Sequence, residues 1–127
     1  MLMAETVKSI SEKNLEEKEK RFFESYNLFY DIVSPQIEKK IIEEAQKGAY
    51  AASICFDFSP KYIKEESKLA VDVIDFYIED IPGLDKATSS EILKYMNKLI
   101  KSIEDEGYIV NYNNYNSKIY CLMIFWG

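Results

Sequence analysis

Histidine is absent from the 127 residues, and Arg21 is the single arginine among 16 basic residues. Without imidazole, Ser-His-Asp and Cys-His catalytic arrangements, histidine general bases and histidine metal sites are all excluded. The scarcity of arginine weakens phosphate and nucleic-acid recognition, because both usually use the planar guanidinium fork. A formal net charge of −6 would also repel polyanions at long range.

Glycine and long apolar runs are also scarce. The four glycines fall at the ends of predicted elements and leave no material for a phosphate-binding loop. No run approaches the roughly 18 apolar residues that span a bilayer, so we expect no membrane association. Residues 1–10 lack the basic and apolar regions of a signal peptide. These absences predict a cytoplasmic protein, in the host cytoplasm if it is viral.

The two cysteines, Cys55 and Cys121, each lie inside an alternating apolar segment. Such cysteines usually behave as small buried hydrophobes in a reducing compartment, and we expect free thiols. A disulfide would require that their two strands be neighbours.

Four helices are expected from the apolar spacing. A stripe formed by Leu15, Phe22, Tyr26, Phe29 and Val33 predicts an amphipathic helix over residues 11–33, a possible oligomerisation element, with residues 1–10 frayed. Serine-proline starts predict a second helix over 35–47, separate or kinked onto the first, and a third from 60 to about 79. The capping box Thr88–Glu91 predicts a fourth helix that Gly107 ends.

Strands are expected where the apolar period becomes two. Residues 50–58 form one such run, and residues 108–112 and 119–126 form a hairpin around an asparagine-rich turn. The last strand is apolar on both faces, which favours the centre of the sheet. The fold predicted for residues 1–127 is a single α+β domain. Two N-terminal helices precede a β-α-α-β-β unit with a small, mainly antiparallel three-stranded sheet covered by helices.

Three carboxylates, Asp72, Asp75 and Glu79, would share one face of the predicted third helix. Carboxylate oxygens are ligands for Mg²⁺ and Ca²⁺. Lys68 on the same face and the lack of a glycine-containing loop favour an ordinary solvated surface instead. We therefore predict no metal site, no cofactor and no catalytic residues, and expect a protein that is not an enzyme.

Aromatic residues are the remaining candidates for a binding surface. Side chains with an apolar body and a polar tip are enriched at interfaces, although alternate aromatics can also simply form the core face of a sheet. Ten tyrosines exceed what a core of this size conveniently buries. We predict a non-enzymatic interaction protein, homo-oligomeric and with a protein partner. The predicted partner-binding residues are Phe23, Tyr30, Tyr108, Tyr112, Tyr115, Tyr120 and Trp126.

Two short resemblances extend these expectations. Residues 34–58 with Gly48-Ala49-Tyr50, and the hairpin from Glu106-Gly107-Tyr108 to Ile124-Phe125-Trp126, resemble small α+β accessory proteins of bacterial viruses over about two thirds of the chain. That resemblance implies action on a host macromolecule.

From Pro35 onward, the order of elements resembles winged-helix DNA-binding domains. This second resemblance implies a recognition helix with Lys94, Lys98 and Lys101 as DNA contacts. DNA binding is therefore the alternative function, although the first strand is long for a winged helix and the hairpin lacks basic residues.

Overall fold

The first helix is continuous and very long. The computed structural model describes residues 3–66 and 72–127 and places α1 at Ala4–Gln46, with Pro35 inside it. The two predicted N-terminal helices are therefore one helix, and Ala4–Ile10 are helical instead of frayed. Proline removes one helical hydrogen bond at a cost of about 3 kcal/mol. Pro35 is itself exposed, but Val33 and Ile37 on either side are buried, and their packing holds both halves against one core.

The N-terminal part of α1 extends beyond the core. Every residue from Ala4 to Arg21 is exposed, and the first buried residue of the helix is Ser25. At 1.5 Å per residue this arm is about 27 Å long. Ion pairs one turn apart, Lys8–Glu12 at 4.0 Å and Glu17–Arg21 at 3.6 Å, support it.

The sheet has three strands in the order β1-β3-β2, with β1 at Ala51–Asp57, β2 at Ile109–Asn114 and β3 at Ile119–Phe125. Both pairings are antiparallel. The predicted α+β class and the central position of the last strand are confirmed. Tyr120, Leu122 and Ile124 of β3 face the helices and are buried, whereas Met123 on the opposite face is 39% exposed.

The cysteines form a disulfide, so the expectation of free thiols was wrong. The sheet register places Cys55 of β1 directly opposite Cys121 of β3, with their Cα atoms 4.0 Å apart. Close cross-strand pairs of this kind bring side chains within bonding distance. The sequence separation of 66 residues concealed this neighbour relation.

The chain after β1 departs from the predicted third helix. Helix α2 is described over Lys61–Glu66, and residues 72–77 run extended beside β1. The Cys55 N–H donates to the Asp72 carbonyl at 2.9 Å, and the Ile74 N–H donates to the Cys55 carbonyl at 2.8 Å. Buried backbone groups at the edge of β1 require such partners, which an extended segment supplies and a helix does not. The expected helical positions of Lys68 and Ala70 lie outside the described residues.

The side-chain amide of Gln36 on α1 forms two hydrogen bonds with the backbone of Asp75, as a neighbouring strand would. Its Nε2 donates to the Asp75 carbonyl at 2.7 Å, and its Oε1 accepts from the Asp75 N–H at 2.7 Å. Lys40, one turn further along α1, forms an ion pair with Asp72 at 2.6 Å. The long helix thus holds the extended segment in place against β1.

Replacing Gln36 by alanine should release this segment locally. We expect hydrogen exchange at the Asp75 amide to accelerate about fivefold to tenfold, because a hydrogen bond of this kind contributes about 1 kcal/mol. Site-resolved exchange by NMR would measure the change. Lys39→Ala, an exposed position on the same helix, is the control, and equal exchange in the two variants would contradict the role assigned to Gln36.

The remaining helix begins as predicted. Short 3-10 turns at Ile78–Asp80 and Leu84–Lys86 lead to α3 at Ser89–Asp105. Thr88 caps α3, its hydroxyl oxygen accepting from the Glu91 N–H at 3.3 Å. The buried faces of α1 and α3, the inner face of the sheet and residues 74–84 meet in one hydrophobic core.

Candidate partner-binding groove

The structure divides the seven predicted partner residues into three groups. Tyr120 is 1% exposed and belongs to the core, so its assignment to a binding surface was wrong. It lies on β3 with the same parity as Leu122 and Ile124, which all point toward the helices. Tyr112, Tyr115 and Phe23 are 49%, 69% and 56% exposed. Tyr30, Tyr108 and Trp126 are half-buried and pack against the core.

Helices α1 and α3 lie side by side and run in the same direction. The rings of Phe22 and Tyr95 are 4.9 Å apart, and further along both helices the Tyr26 hydroxyl lies 3.5 Å from the Ser102 hydroxyl. Burial raises the pKa of Tyr26, which the bond to Ser102 partly counteracts. This contact fixes the separation of the two helices where a groove opens between them.

The groove has a volume of about 240 Å³. Its floor is aliphatic, formed by side chains of α1 and α3, and Tyr30 and Tyr108 form aromatic parts of its wall. The lining residues are Tyr30, Ser34, Ile37, Glu38, Ile41, Ile42, Leu99, Ser102, Ile103, Glu106 and Tyr108. The groove therefore brings together two predicted partner residues that are far apart in the sequence. We call it the α1/α3 groove.

Two further aromatic residues belong to the surroundings of the groove. The Trp126 ring meets the Tyr108 ring edge-on at 6.4 Å and so supports it from the sheet side. Phe23 precedes Tyr30 by two helical turns on α1, which places it along the same side of the helix. Tyr112 and Tyr115 are not among the lining residues and lie on the hairpin.

Ile42 lines the groove, and the apolar spacing of the helix did not predict that its side chain would be exposed. It is 56% exposed although its neighbour Ile41 packs against the core. A clue was present in the adjacent pair of isoleucines, since one helix face cannot bury both completely.

The electrostatic surroundings of the groove are negative. Glu38 and Glu106 line it, and both helices point their C-terminal ends the same way. Neither α1 nor α3 carries a basic residue in its last turn, and α3 ends in Glu104 and Asp105. The partial negative charge of a helix C-terminus adds to these carboxylates. An apolar floor with an acidic rim favours a ligand that is apolar on one side and cationic at its border.

The lysines expected to contact DNA are not equivalent. Lys98 covers α1 aromatics, with its Nζ 3.4 Å from the centre of the Phe23 ring and 4.7 Å from that of Tyr26. Lys94 and Lys101 are exposed, and so are Glu91, Glu104 and Asp105 on the same helix. The cation–π contact gives Lys98 a structural function within the described chain.

A second cleft, of about 810 Å³, lies between α1 and the extended segment. Lys64 donates to the Phe76 carbonyl there, and its Nζ lies 4.0 Å from the centre of the Phe76 ring. Burial lowers the pKa of Lys64, and the carboxylates of Asp57, Asp75 and Glu79 oppose that shift. This lysine is thus already bound to a backbone carbonyl and an aromatic ring.

Asp72, Asp75 and Glu79, predicted to share one helix face, lie apart because residues 72–77 are extended. Asp72 pairs with Lys40, and the Glu79 carboxylate accepts from the Lys61 N–H at 3.2 Å at the start of α2. Within residues 3–66 and 72–127, no group of three or more carboxylate or thiol ligands is placed to hold a metal ion.

Comparison with known proteins leaves the geometry as the basis for function. The chain matches no protein-family model, no curated protein and no solved structure. In the described part of the chain, no helix combines the length and apolar character required to cross a bilayer.

Proposed function

We propose that this chain is a non-enzymatic interaction protein whose α1/α3 groove binds a basic amphipathic helix of a partner protein. The observation that supports the proposal is the combination of an aliphatic and aromatic groove with Glu38 and Glu106 at its border. Helix-in-groove recognition uses apolar side chains at helical spacing as anchors, and flanking lysines or arginines would pair with the two carboxylates.

The shape of the groove fits one or two anchor side chains. A volume of about 240 Å³ accommodates leucine-sized groups and is too small for a drug-sized ligand. The partner helix would lie along α1, where the exposed side chain of Ile42 extends the apolar contact. The resemblance to small phage accessory proteins supports a host protein as the partner.

A synthetic helical peptide with leucine at i, i+3 and i+7 and flanking lysines is the probe for this groove. We expect Glu38→Lys/Glu106→Lys to weaken its binding at least about tenfold, because two attractive charge pairs become repulsive. Fluorescence anisotropy of the labelled peptide would measure the dissociation constant. Ile42→Ser should weaken binding as well, by removing an exposed apolar contact.

The matched control is Glu16→Lys/Glu19→Lys, which makes the same change of charge on the exposed arm of α1. This control should retain most of the affinity. Equal loss in both double variants would show that only net charge matters and would contradict the groove. Equal binding of a peptide with glutamate in place of lysine would do the same.

DNA binding is the second candidate, supported by exposed Lys94 and Lys101 two turns apart on α3. A winged-helix domain with about six phosphate contacts, Lys94 and Lys101 among them, should lose on the order of a thousandfold in duplex affinity between about 50 and 200 mM salt. Replacing Lys94 and Lys101 by glutamine should weaken binding and reduce the steepness of this salt dependence. Absence of duplex binding at the lower salt concentration would eliminate this candidate.

A further inference from the structure

Strand β2 forms one edge of the sheet. Its inner neighbour is β3, and no residue within 3–66 and 72–127 forms a strand ladder with its outer edge. At the other edge of the sheet, β1 is covered by the bridge between Cys55 and Val73. Among the described residues, the edge of β1 therefore has a backbone partner, whereas the outer edge of β2 has none.

The alternation of hydrogen bonds along the hairpin shows which backbone N–H and C=O groups of β2 point away from β3. The Tyr115 N–H donates to the Ile119 carbonyl at 3.1 Å, so odd-numbered residues on this side of the hairpin bond toward β3. In an antiparallel ladder the alternate residues point their N–H and C=O groups the other way. Val110, Tyr112 and Asn114 therefore present their backbone groups at the outer edge.

The composition of this edge lacks the usual protection against pairing. Natural edge strands are commonly blocked by lysine, proline or an inward-pointing charge. From Gly107 to Ser117 there is neither a charged residue nor a proline, in a chain of which 30% is charged. Two molecules of net charge −6 could approach here without placing like charges opposite each other.

We propose that β2 pairs antiparallel with β2 of a second copy of this chain, about a two-fold axis at Tyr112. In this register Tyr112 lies opposite its own counterpart and Val110 lies opposite Asn114 of the second copy. The outward-pointing backbone groups of Val110, Tyr112 and Asn114 then form about six hydrogen bonds with the same residues of the second copy. The result is one continuous six-stranded sheet.

The same register is self-complementary on the outer face of the sheet. Continued one residue beyond the end of β2 at Asn114, it places Ile109 opposite Tyr115 of the second copy, twice by symmetry. These two side chains are 66% and 69% exposed in the single chain, the highest values among the large apolar residues of the hairpin. Aromatic and β-branched side chains opposite each other are favourable cross-strand pairs. The interface therefore covers the apolar surface that one copy leaves in solvent.

Sedimentation velocity of three proteins tests this register. The unmodified chain and Ile109→Lys/Tyr115→Glu should both form dimers, because the variant places lysine opposite glutamate of the second copy. Ile109→Lys/Tyr115→Lys places lysines opposite each other and should raise the dissociation constant at least about tenfold. Within one chain, Ile109 begins β2 and Tyr115 directly follows its end, so the two positions are about 20 Å apart and the difference reports on pairing between copies.

The net charges strengthen the comparison. Two added lysines change −6 to −4, whereas one lysine and one glutamate leave −6 unchanged. The smaller net charge of the lysine–lysine variant weakens the overall repulsion between copies and by itself would favour its dimerisation. The proposed register predicts the opposite, a weaker dimer. A monomeric unmodified chain at about 100 µM, or dimers of equal strength in both variants, would overturn the proposal. Because both positions are exposed, circular dichroism should show equal folding of all three proteins.

Discussion

Replacing Phe29 by alanine is expected to lower the free energy of unfolding by about 3–5 kcal/mol. Phe29 is fully buried, and its ring lies 5.4 Å from Phe76, 5.9 Å from Tyr95 and 6.1 Å from Phe56 of β1. It therefore joins α1 to β1, the extended segment and α3 at one point. Removal of the ring leaves a cavity that none of these elements can fill alone. Urea denaturation followed by circular dichroism would measure the loss.

Phe23→Ala is the matched control, because it removes the same group from an exposed position six residues earlier in α1. Its ring is 56% exposed and makes its close contact with Lys98. We expect this change to cost about 1 kcal/mol or less. Similar losses for the two variants would contradict the assignment of Phe29 to the centre of the core.

Removal of the disulfide should produce the other large effect. The bond between Cys55 and Cys121 closes a loop with a sequence separation of 66 residues. Loop-closure entropy for that length predicts a stabilisation of about 4 kcal/mol relative to the open chain. Cys55→Ala/Cys121→Ala should therefore unfold at a clearly lower urea concentration, measured as for Phe29→Ala.

The neighbouring cross-strand pair provides a control for this experiment. Ser53 and Met123 lie opposite each other on the same face of the sheet, without a covalent bond. Ser53→Ala/Met123→Ala should cost much less, because no loop is opened. Labelling of two thiols by a maleimide in the unreduced native chain would show that the bond is absent.

The sequence predicted the sheet because each strand carries its own pattern. Alternation over residues 50–58 and 119–126 defines the strands, and the apolar character of both faces of the last run places it in the centre. Alternation alone does not say how deeply a residue lies under the helices: Tyr112 pairs with Leu122 and shares the helix-facing side with Tyr120, but it is exposed on the edge strand whereas Tyr120 is buried on the central one. The orientation depends on where α1 and α3 pack.

The errors concern interactions between distant parts of the chain. Pro35 predicts a break by local rules, but packing of Val33 and Ile37 against a shared core outweighs one lost hydrogen bond. Residues 72–77 are extended because the backbone of Cys55 and the amide of Gln36 bind them there. The α1/α3 groove likewise joins residues around Tyr30 to residues around Tyr108, and neither segment contains the groove alone.

The cross-link between β1 and β3 also determines how the molecule would respond to mechanical force. Helices α2 and α3 and strand β2 all lie between Cys55 and Cys121 and so belong to a closed covalent ring. Tension applied to the two chain ends can peel away α1 and the last residues after Cys121. It cannot draw out the ring, so the contour length released is set by the residues outside it.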